Sequence, residues 1–126
     1  MKPPVIELRG VCASFRGQAV HRDLSLRVEE GQIVGLLGGS GSGKTTLLRE
    51  ILGLLRPESG SVRLFGVNLN DPDVRLQRDL RRRLGMLFQH GALFSALSVF
   101  DNIAFPLREL RCLDADWIRR LVHLKL

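Results

Sequence analysis

Between positions 33 and 55 an unbroken apolar stretch, Ile33-Val34-Gly35-Leu36-Leu37, runs directly into Gly38-Gly39-Ser40-Gly41-Ser42-Gly43-Lys44-Thr45 and out through leucines at helical spacing. A strand with no polar position is one buried on both faces, as in parallel sheets covered by helices. After the loop, Leu47, Leu48, Ile51, Leu52 and Leu55 mark the inward face of a helix with Arg49 and Glu50 on the other face, and Pro57-Glu58-Ser59-Gly60 is expected to stop it. Strand, loop and helix in that order point to an α/β domain.

The loop carries the chemistry. Gly38 to Thr45 matches the phosphate-binding pattern GxxxxGK[ST] in the strand-to-helix context that pattern requires. Glycines admit backbone conformations closed to other residues, so successive N–H groups can converge on phosphate oxygens. Lys44 adds a mobile positive charge for the β and γ phosphates of a nucleoside triphosphate. A helix starting near Lys44 also turns its N-terminal partial charge on the anion, a term of about 0.3–2 kcal/mol. That alone is too little to hold a nucleotide, so the converging donors of Gly38, Gly39, Ser40, Gly41, Ser42 and Gly43 must do most of the binding. Thr45 places a hydroxyl for Mg²⁺, and Thr46 can reach a neighbouring phosphate. The competing reading, a flexible Gly/Ser turn that matches by chance, does not account for the strand and helix on either side.

Elsewhere the pattern is mixed. Ile6 and Leu8, then Leu24, Leu26 and Val28, alternate with polar neighbours around the turn-prone Arg16-Gly17-Gln18, predicting antiparallel strands with one wet face from Val5 to Val28. Ser61 to Leu64 and Phe65 to Leu69 are short strand candidates, Asp73 to Arg83 a charged helix, and Leu84 to Phe88 a second compact apolar strand. Ser98 is expected to cap a helix from Val99 toward Phe105, and Asp114 another running to the end. Asp101 also sits where a helix should begin, so capping is its plainest role.

Composition bounds the rest. The 126 residues are 44% hydrophobic and 25% charged, the range of one soluble globular domain or part of one. No apolar run approaches the roughly 20 residues of a membrane span, and the opening MKPPVIELRG lacks a signal peptide's apolar stretch, so a cytoplasmic location is expected, with membrane association only through a partner. The net charge of +6 could suit nucleic acid or an anionic membrane surface, but the arginines are scattered and the Arg81–Arg83 cluster reads as a solvated helix face. Cys12 and Cys112 lie outside any metal or redox spacing and read as reduced, partly buried thiols. His21, His90 and His123 show no partner in the sequence and receive no role.

Phosphate-binding loops serve many reactions, and further landmarks narrow the choice. Phe15 lies upstream in VCASFRGQAVHRDLSLRV, Gln89 closes RRRLGMLFQ, and IELRGVCASF and LRPESGSVRLFG flank the loop. Together these resemble the ATPase subunits of ABC transporters, and the resemblance covers about Val5 to Leu110. Within that superfamily, MLFQHGALFSALSVFDNIAFPLRE is most similar to the ATPases of bacterial Mla-type phospholipid transport systems. The resemblance implies an ABC-type P-loop NTPase fold. An antiparallel β part spans residues 1–30, a P-loop core with a partial parallel sheet runs to the Q-loop over 31–90, and a helical subdomain starts over 91–126. It also implies ATP and Mg²⁺ as ligands, a transmembrane permease and a second ATPase subunit as partners, and a place on the cytoplasmic face of the inner membrane.

Residue by residue, the resemblance makes Phe15 the aromatic that stacks on adenine, whereas a lone aromatic at a strand end is ordinarily core. It makes Gln89 a Mg²⁺ ligand that helps orient the attacking water, a task its neutral amide can perform without adding negative charge beside phosphate. The apolar residues Leu93, Phe94, Leu97, Val99, Phe100, Phe105 and Leu107 then divide between internal packing and a groove for a membrane-subunit helix. The family's Walker B acid, signature motif, D-loop and switch histidine are not found before Leu126. The resemblance thus implies a fragment of an ATPase subunit that couples ATP binding and hydrolysis to transport, of phospholipid, and the alternative is a module that binds ATP without hydrolysing it. These 126 residues alone are expected to show essentially no turnover and marginal stability. A GTPase or small-molecule kinase is disfavoured, since no NKxD-like guanine motif is seen.

Overall fold

The computed structural model describes residues 2–89 and 91–126, without the side chain of Val74. It resolves into two compact units, one ending at Gly85 and the other Met86–Leu126. In the first, strands β1 (Ile6–Phe15), β2 (Gln18–Val28), β3 (Ser59–Leu64) and β4 (Val67–Asn68) form one antiparallel sheet in the order β2-β1-β3-β4. Helix α1 (Lys44–Ile51) follows the glycine-rich loop, and α2 (Val74–Arg82) follows β4. The predicted hairpin turn is where it was expected, with Arg16 and Gly17 at φ 51° and 78°.

Alternation along β1 changes phase in mid-strand. Leu8 is buried, and so are Val11 and Ala13, because Gly10 at φ 58° sits in a bulge between Leu8 and Val11. The bulge keeps both halves of the strand facing the same core. Leu8, Val11, Val62 and Leu64 from the sheet meet Leu47 and Ile51 of α1 and Leu80 of α2. Gly60 is held so close to the bulge that a Cβ there would collide with the backbone of Gly10 and Arg9.

Several expectations are corrected. Ile33–Leu37 and Leu84–Phe88 form no strands, and Ile33 and Leu37 are 101% and 94% exposed. A strand of this kind needs hydrogen-bonding neighbours on its edges and layers on both faces, and the described residues supply neither. The antiparallel part is formed, while no parallel pairing occurs among the described residues. Helix α1 stops at Ile51, before the Pro57–Gly60 segment, because Gly53 adopts φ 67° and the amides of Leu54 and Leu55 close back on Arg49 O. Ser59 and Gly60 then open β3 instead of ending a helix. The Phe65–Leu69 candidate shrinks to Val67–Asn68, since Phe65 and Gly66 form the turn from β3. Arg81, Arg82 and Arg83 are exposed, with the Arg83 guanidinium 3.6 Å above the Phe65 ring. Cys12 is partly buried as expected, whereas Cys112 is exposed.

The second unit pairs α3 (Val99–Glu109) with α4 (Ala115–Lys125) around Ala104, Ile118 and Val122. Asp114 caps α4 by accepting from Trp117 N at 2.9 Å. Helix α3 runs past Phe105 and through Pro106, where no N–H is available for the preceding turn. Packing of Ile103, Ala104 and Leu107 against α4 carries it onward. At its start Ser98 Oγ accepts from Asp101 N at 3.0 Å and donates to Asp101 Oδ2 at 2.6 Å, while Arg108 Nη1 donates to Oδ1 at 2.9 Å. The Ser98 hydroxyl first, and Arg108 second, hold the Asp101 carboxyl below its usual range. A carboxylate whose folded pKa is depressed stabilises above its unfolded value and loses that contribution as pH falls through the folded one. Asp101→Asn should therefore shrink the stability difference between neutral pH and about pH 3, measured by urea unfolding followed by circular dichroism.

Candidate functional site

The glycine-rich loop is exposed from Gly38 to Ser42 and ends at Gly43, the N-cap of α1, with φ 91° and ψ 3°. A left-handed residue at this point turns the chain sharply enough for the helix to begin at Lys44. Gly43 O takes the first intrahelical bond, from Leu47 N at 2.9 Å. Within the loop Gly41 is also left-handed at φ 78°, and Ser42 N reaches Gly39 O at 3.3 Å. A Cβ on Gly38 would lie 2.6 Å from Ser42 Oγ, so a side chain there would fill the inside of the loop.

Lys44 folds back over this loop. Its Nζ donates to Gly38 O at 2.6 Å, Gly39 O at 2.7 Å and Ser42 Oγ at 3.3 Å. The ammonium thus rests beside the first glycines of the run, held by carbonyls that an anion could replace as its partner. Thr45 is exposed on the first turn of α1 and Thr46 half-buried behind it.

The N-terminus of α1 carries no side-chain cap and no acidic residue in its first turn. By contrast Asp73, Ser98 and Asp114 cap α2, α3 and α4 with side-chain oxygens. An uncapped helix start leaves unpaired amides and partial positive charge facing the loop. These residues fit a polyphosphate, with the Thr45 hydroxyl available to a divalent cation that accompanies it.

The sequence misassigned two side chains behind the loop. Glu50, expected on the solvent face of α1, is 1% exposed, and His21, left without a partner, is 6% exposed. His21 Nδ1 lies 3.1 Å from Glu50 Oε2 and Nε2 lies 3.2 Å from Gly43 O. Burial pushes the Glu50 carboxyl above its usual range, opposed by the neighbouring imidazole. The apolar pattern hid the contact: the face that α1 buries is Leu47, Glu50 and Ile51, at i, i+3 and i+4, while Leu48 and Leu55, counted as inward, are exposed. The β2 pattern gave no signal for His21, because Val20, Leu24, Leu26 and Val28 alternate in the other phase, and the change of phase lies at Asp23, with φ 51°.

Phe15 is 65% exposed at the end of β1, with the Arg16 guanidinium 5.4 Å from its ring centroid, and so it is not core. It pairs with Gln18 across the hairpin, the same hairpin whose β2 leg brings His21 to Gly43. Gln89 is exposed in a turn of the second unit and ends no strand. His90 lies outside the described residues. His123 meets the Phe100 ring edge-on at 6.2 Å.

Among the apolar residues of 91–107, Phe100 and Leu107 pack against the α3–α4 core. Leu93, Phe94, Val99 and Phe105 are exposed, and the Phe94 and Phe105 rings stand 5.0 Å apart. Asn102, unremarked in the sequence, organises this stretch: its Oδ1 accepts from Phe94 N at 2.8 Å, and its Nδ2 donates to Phe94 O, Leu97 O and Ser98 O at 3.1, 3.2 and 3.0 Å. Among the described residues no helix is long and apolar enough to cross a membrane.

Comparison with known proteins agrees with this architecture. A family model described as "ABC transporter" matches residues 21–125. The intermembrane phospholipid transport system ATP-binding protein MlaF of Haemophilus influenzae is 40% identical over 126 residues, all of this chain and 48% of that protein. A probable ribonucleotide transport ATP-binding protein, mkl, of Mycobacterium leprae is 39% identical over 121 residues, 96% of this chain and 35% of its own length. The methionine import ATP-binding protein MetN of Ralstonia nicotianae is 43% identical over 123 residues, 94% of this chain and 35% of its own length. The chain thus spans about half or less of the length of these relatives. Among solved structures, the ATP-binding cassette MJ0796, a dimer in a post-hydrolysis state bound to ADP and Pi, superposes with a TM-score of 0.81 at 27% identity, over 93% of this chain and 53% of that one.

The loop geometry makes a testable demand. A Cβ on Gly43 would collide with Val20 Cγ1 and come within 2.7 Å of His21 Nε2 at a backbone angle that L side chains rarely adopt, whereas Gly39 has nothing within 4 Å. Gly43→Ala should destabilise the first unit by about 1–3 kcal/mol, and Gly39→Ala should stay within about 0.5 kcal/mol of the original, as read from denaturant midpoints.

Proposed function

Because this chain belongs to the ABC transporter family of ATP-binding subunits, we propose that it binds Mg²⁺ and ATP at the Gly38–Thr46 loop and forms the nucleotide-recognising part of a phospholipid-transporting ATPase. One observation carries the reading: the only helix start without a side-chain cap among the described residues faces an exposed glycine loop, across which the Lys44 ammonium lies on replaceable carbonyl partners. The Thr45 hydroxyl would hold the metal, which would offset phosphate charge there.

The chain's own residues have distinct tasks. Backbone amides from Gly39 to Thr46 direct their hydrogens at the phosphates, and Lys44 exchanges the Gly38 and Gly39 carbonyls for β- and γ-phosphate oxygens. Thr45 supplies a metal-facing hydroxyl; for Gln89, which belongs to the second unit, the family resemblance implies an amide oxygen for metal and water. Phe15, exposed and beside Arg16, offers a face for adenine. Residues 91–126 begin a helical part whose exposed Leu93, Phe94 and Phe105 receive a helix of a transmembrane permease. Through that contact, and through a second ATPase subunit, nucleotide binding and hydrolysis would drive the membrane partner, with the chain peripheral on the cytoplasmic face.

Phospholipid is favoured as cargo because MLFQHGALFSALSVFDNIAFPLRE resembles the Mla-type ATPases and the 40% identity to MlaF is spread over an alignment of the whole chain.

Titration calorimetry with Mg·ATP tests the site. Lys44→Ala should weaken binding roughly tenfold or more, the scale of a hydrogen bond to a charged group. Phe15→Ala should cost about 1–3 kcal/mol without abolishing binding, and GTP should compete poorly with ATP. Unchanged affinity in Lys44→Ala would overturn the nucleotide reading. Unchanged affinity in Phe15→Ala would remove only the stacking role.

A further inference from the structure

The seam between β2 and α1 holds one ionisable pair that packing does not explain. His21 and Glu50 are almost wholly buried, and Glu50 Oε1 has no hydrogen-bond partner. Replacing a buried charged pair with apolar residues of similar volume is commonly neutral or stabilising. Stability alone does not account for the pair.

Proton bookkeeping shows what it does achieve. Gly43 O can only accept, so the contact at 3.2 Å requires a hydrogen on His21 Nε2. One proton then remains between Nδ1 and Glu50 Oε2, 3.1 Å apart: either the carboxyl donates to a neutral ring, or a carboxylate accepts from an imidazolium. Both arrangements keep the hydrogen on Nε2. Without Glu50 the ring is free to carry its proton on Nδ1 and turn a lone pair toward the carbonyl, losing the contact.

Gly43 O also accepts from Leu47 N, so one carbonyl is held from the helix and from the sheet at once. In a planar trans peptide the N–H points opposite to the C=O, and no cis peptide occurs among the described residues. Fixing Gly43 O toward α1 and β2 therefore aims Lys44 N–H the other way, out of the helix start and toward the loop.

We propose that His21, held in one tautomer by Glu50, is a positioning residue that locks the Gly43–Lys44 peptide so that the Lys44 amide is preorganised for the phosphate chain of a nucleoside triphosphate. This rests on the nucleotide reading above. Neither side chain touches the ligand, and their effect passes entirely through one backbone carbonyl.

The test compares Mg·ATP affinity and thermal melting in three chains: the unaltered protein, the double variant His21→Leu/Glu50→Leu, and Glu50→Gln. The double variant should melt at or above the original temperature while its Kd rises about five- to tenfold, the loss of one well-placed hydrogen bond. Glu50→Gln, whose amide can donate to Nδ1 and keep the Nε2 hydrogen, should bind within about twofold of the original. A double variant that melts normally and binds ATP with unchanged Kd overturns the proposal. So does a loss of affinity in both variants that follows a falling melting temperature, which would reduce the pair to packing. Absence of binding by the unaltered chain sinks the nucleotide reading itself, and the wild-type titration separates that outcome from the other two.

Discussion

The carbonyl of Gly43 is where the first unit's sheet, helix and loop meet. It takes the first hydrogen bond of α1 from Leu47 and a second bond from His21 on β2. A left-handed residue is required there, and only glycine both adopts φ 91° easily and leaves room for Val20 and His21. The exposed loop therefore ends against a fixed wall instead of drifting as a free glycine tether. Lys44 inherits that order, since its backbone starts the helix while its side chain reaches back across the loop.

The wall itself depends on the bulged hairpin. Gly10 shifts the phase of β1 so that Leu8 and Val11 share one face, and β3 can pack Val62 and Leu64 beside them under α1. The close approach of Gly60 to the Gly10 backbone tightens the same region from the other edge. The second unit follows a different logic, in which polar side chains set backbone shape: Ser98 and Asp101 start α3, and Asn102 gathers three carbonyls and one amide of the preceding turn. With its backbone satisfied, that stretch can display Leu93 and Phe94 outward.

Local signals were read well where neighbours in sequence decide the outcome. The hairpin turn at Arg16-Gly17, the caps at Ser98 and Asp114, and the start of α1 at Lys44 each depend on a few adjacent residues. The reading failed where partners are distant. Ile33–Leu37 has the composition of a doubly buried strand, but composition does not supply the strands on either side, and the segment stays exposed and unladdered. Glu50 failed for the opposite reason. The leucine pattern sent it to solvent, yet it shares the buried face of α1 with Leu47 and Ile51 and meets His21 there.

By itself the sequence determined the family, the order of hairpin, loop and helices, and the loop residues suited to a polyphosphate, because these rest on glycine conformations and spacings within a few tens of residues. Only the tertiary structure decided that His21 and Glu50 meet behind Gly43, that Phe15 lies outside the core, and that Asn102 shapes the start of the second unit. Those facts depend on which face of one element another happens to cover. Such coverage arises from packing between segments as distant in sequence as Ser14 and Glu58, 44 residues apart, and a one-dimensional pattern holds no record of it.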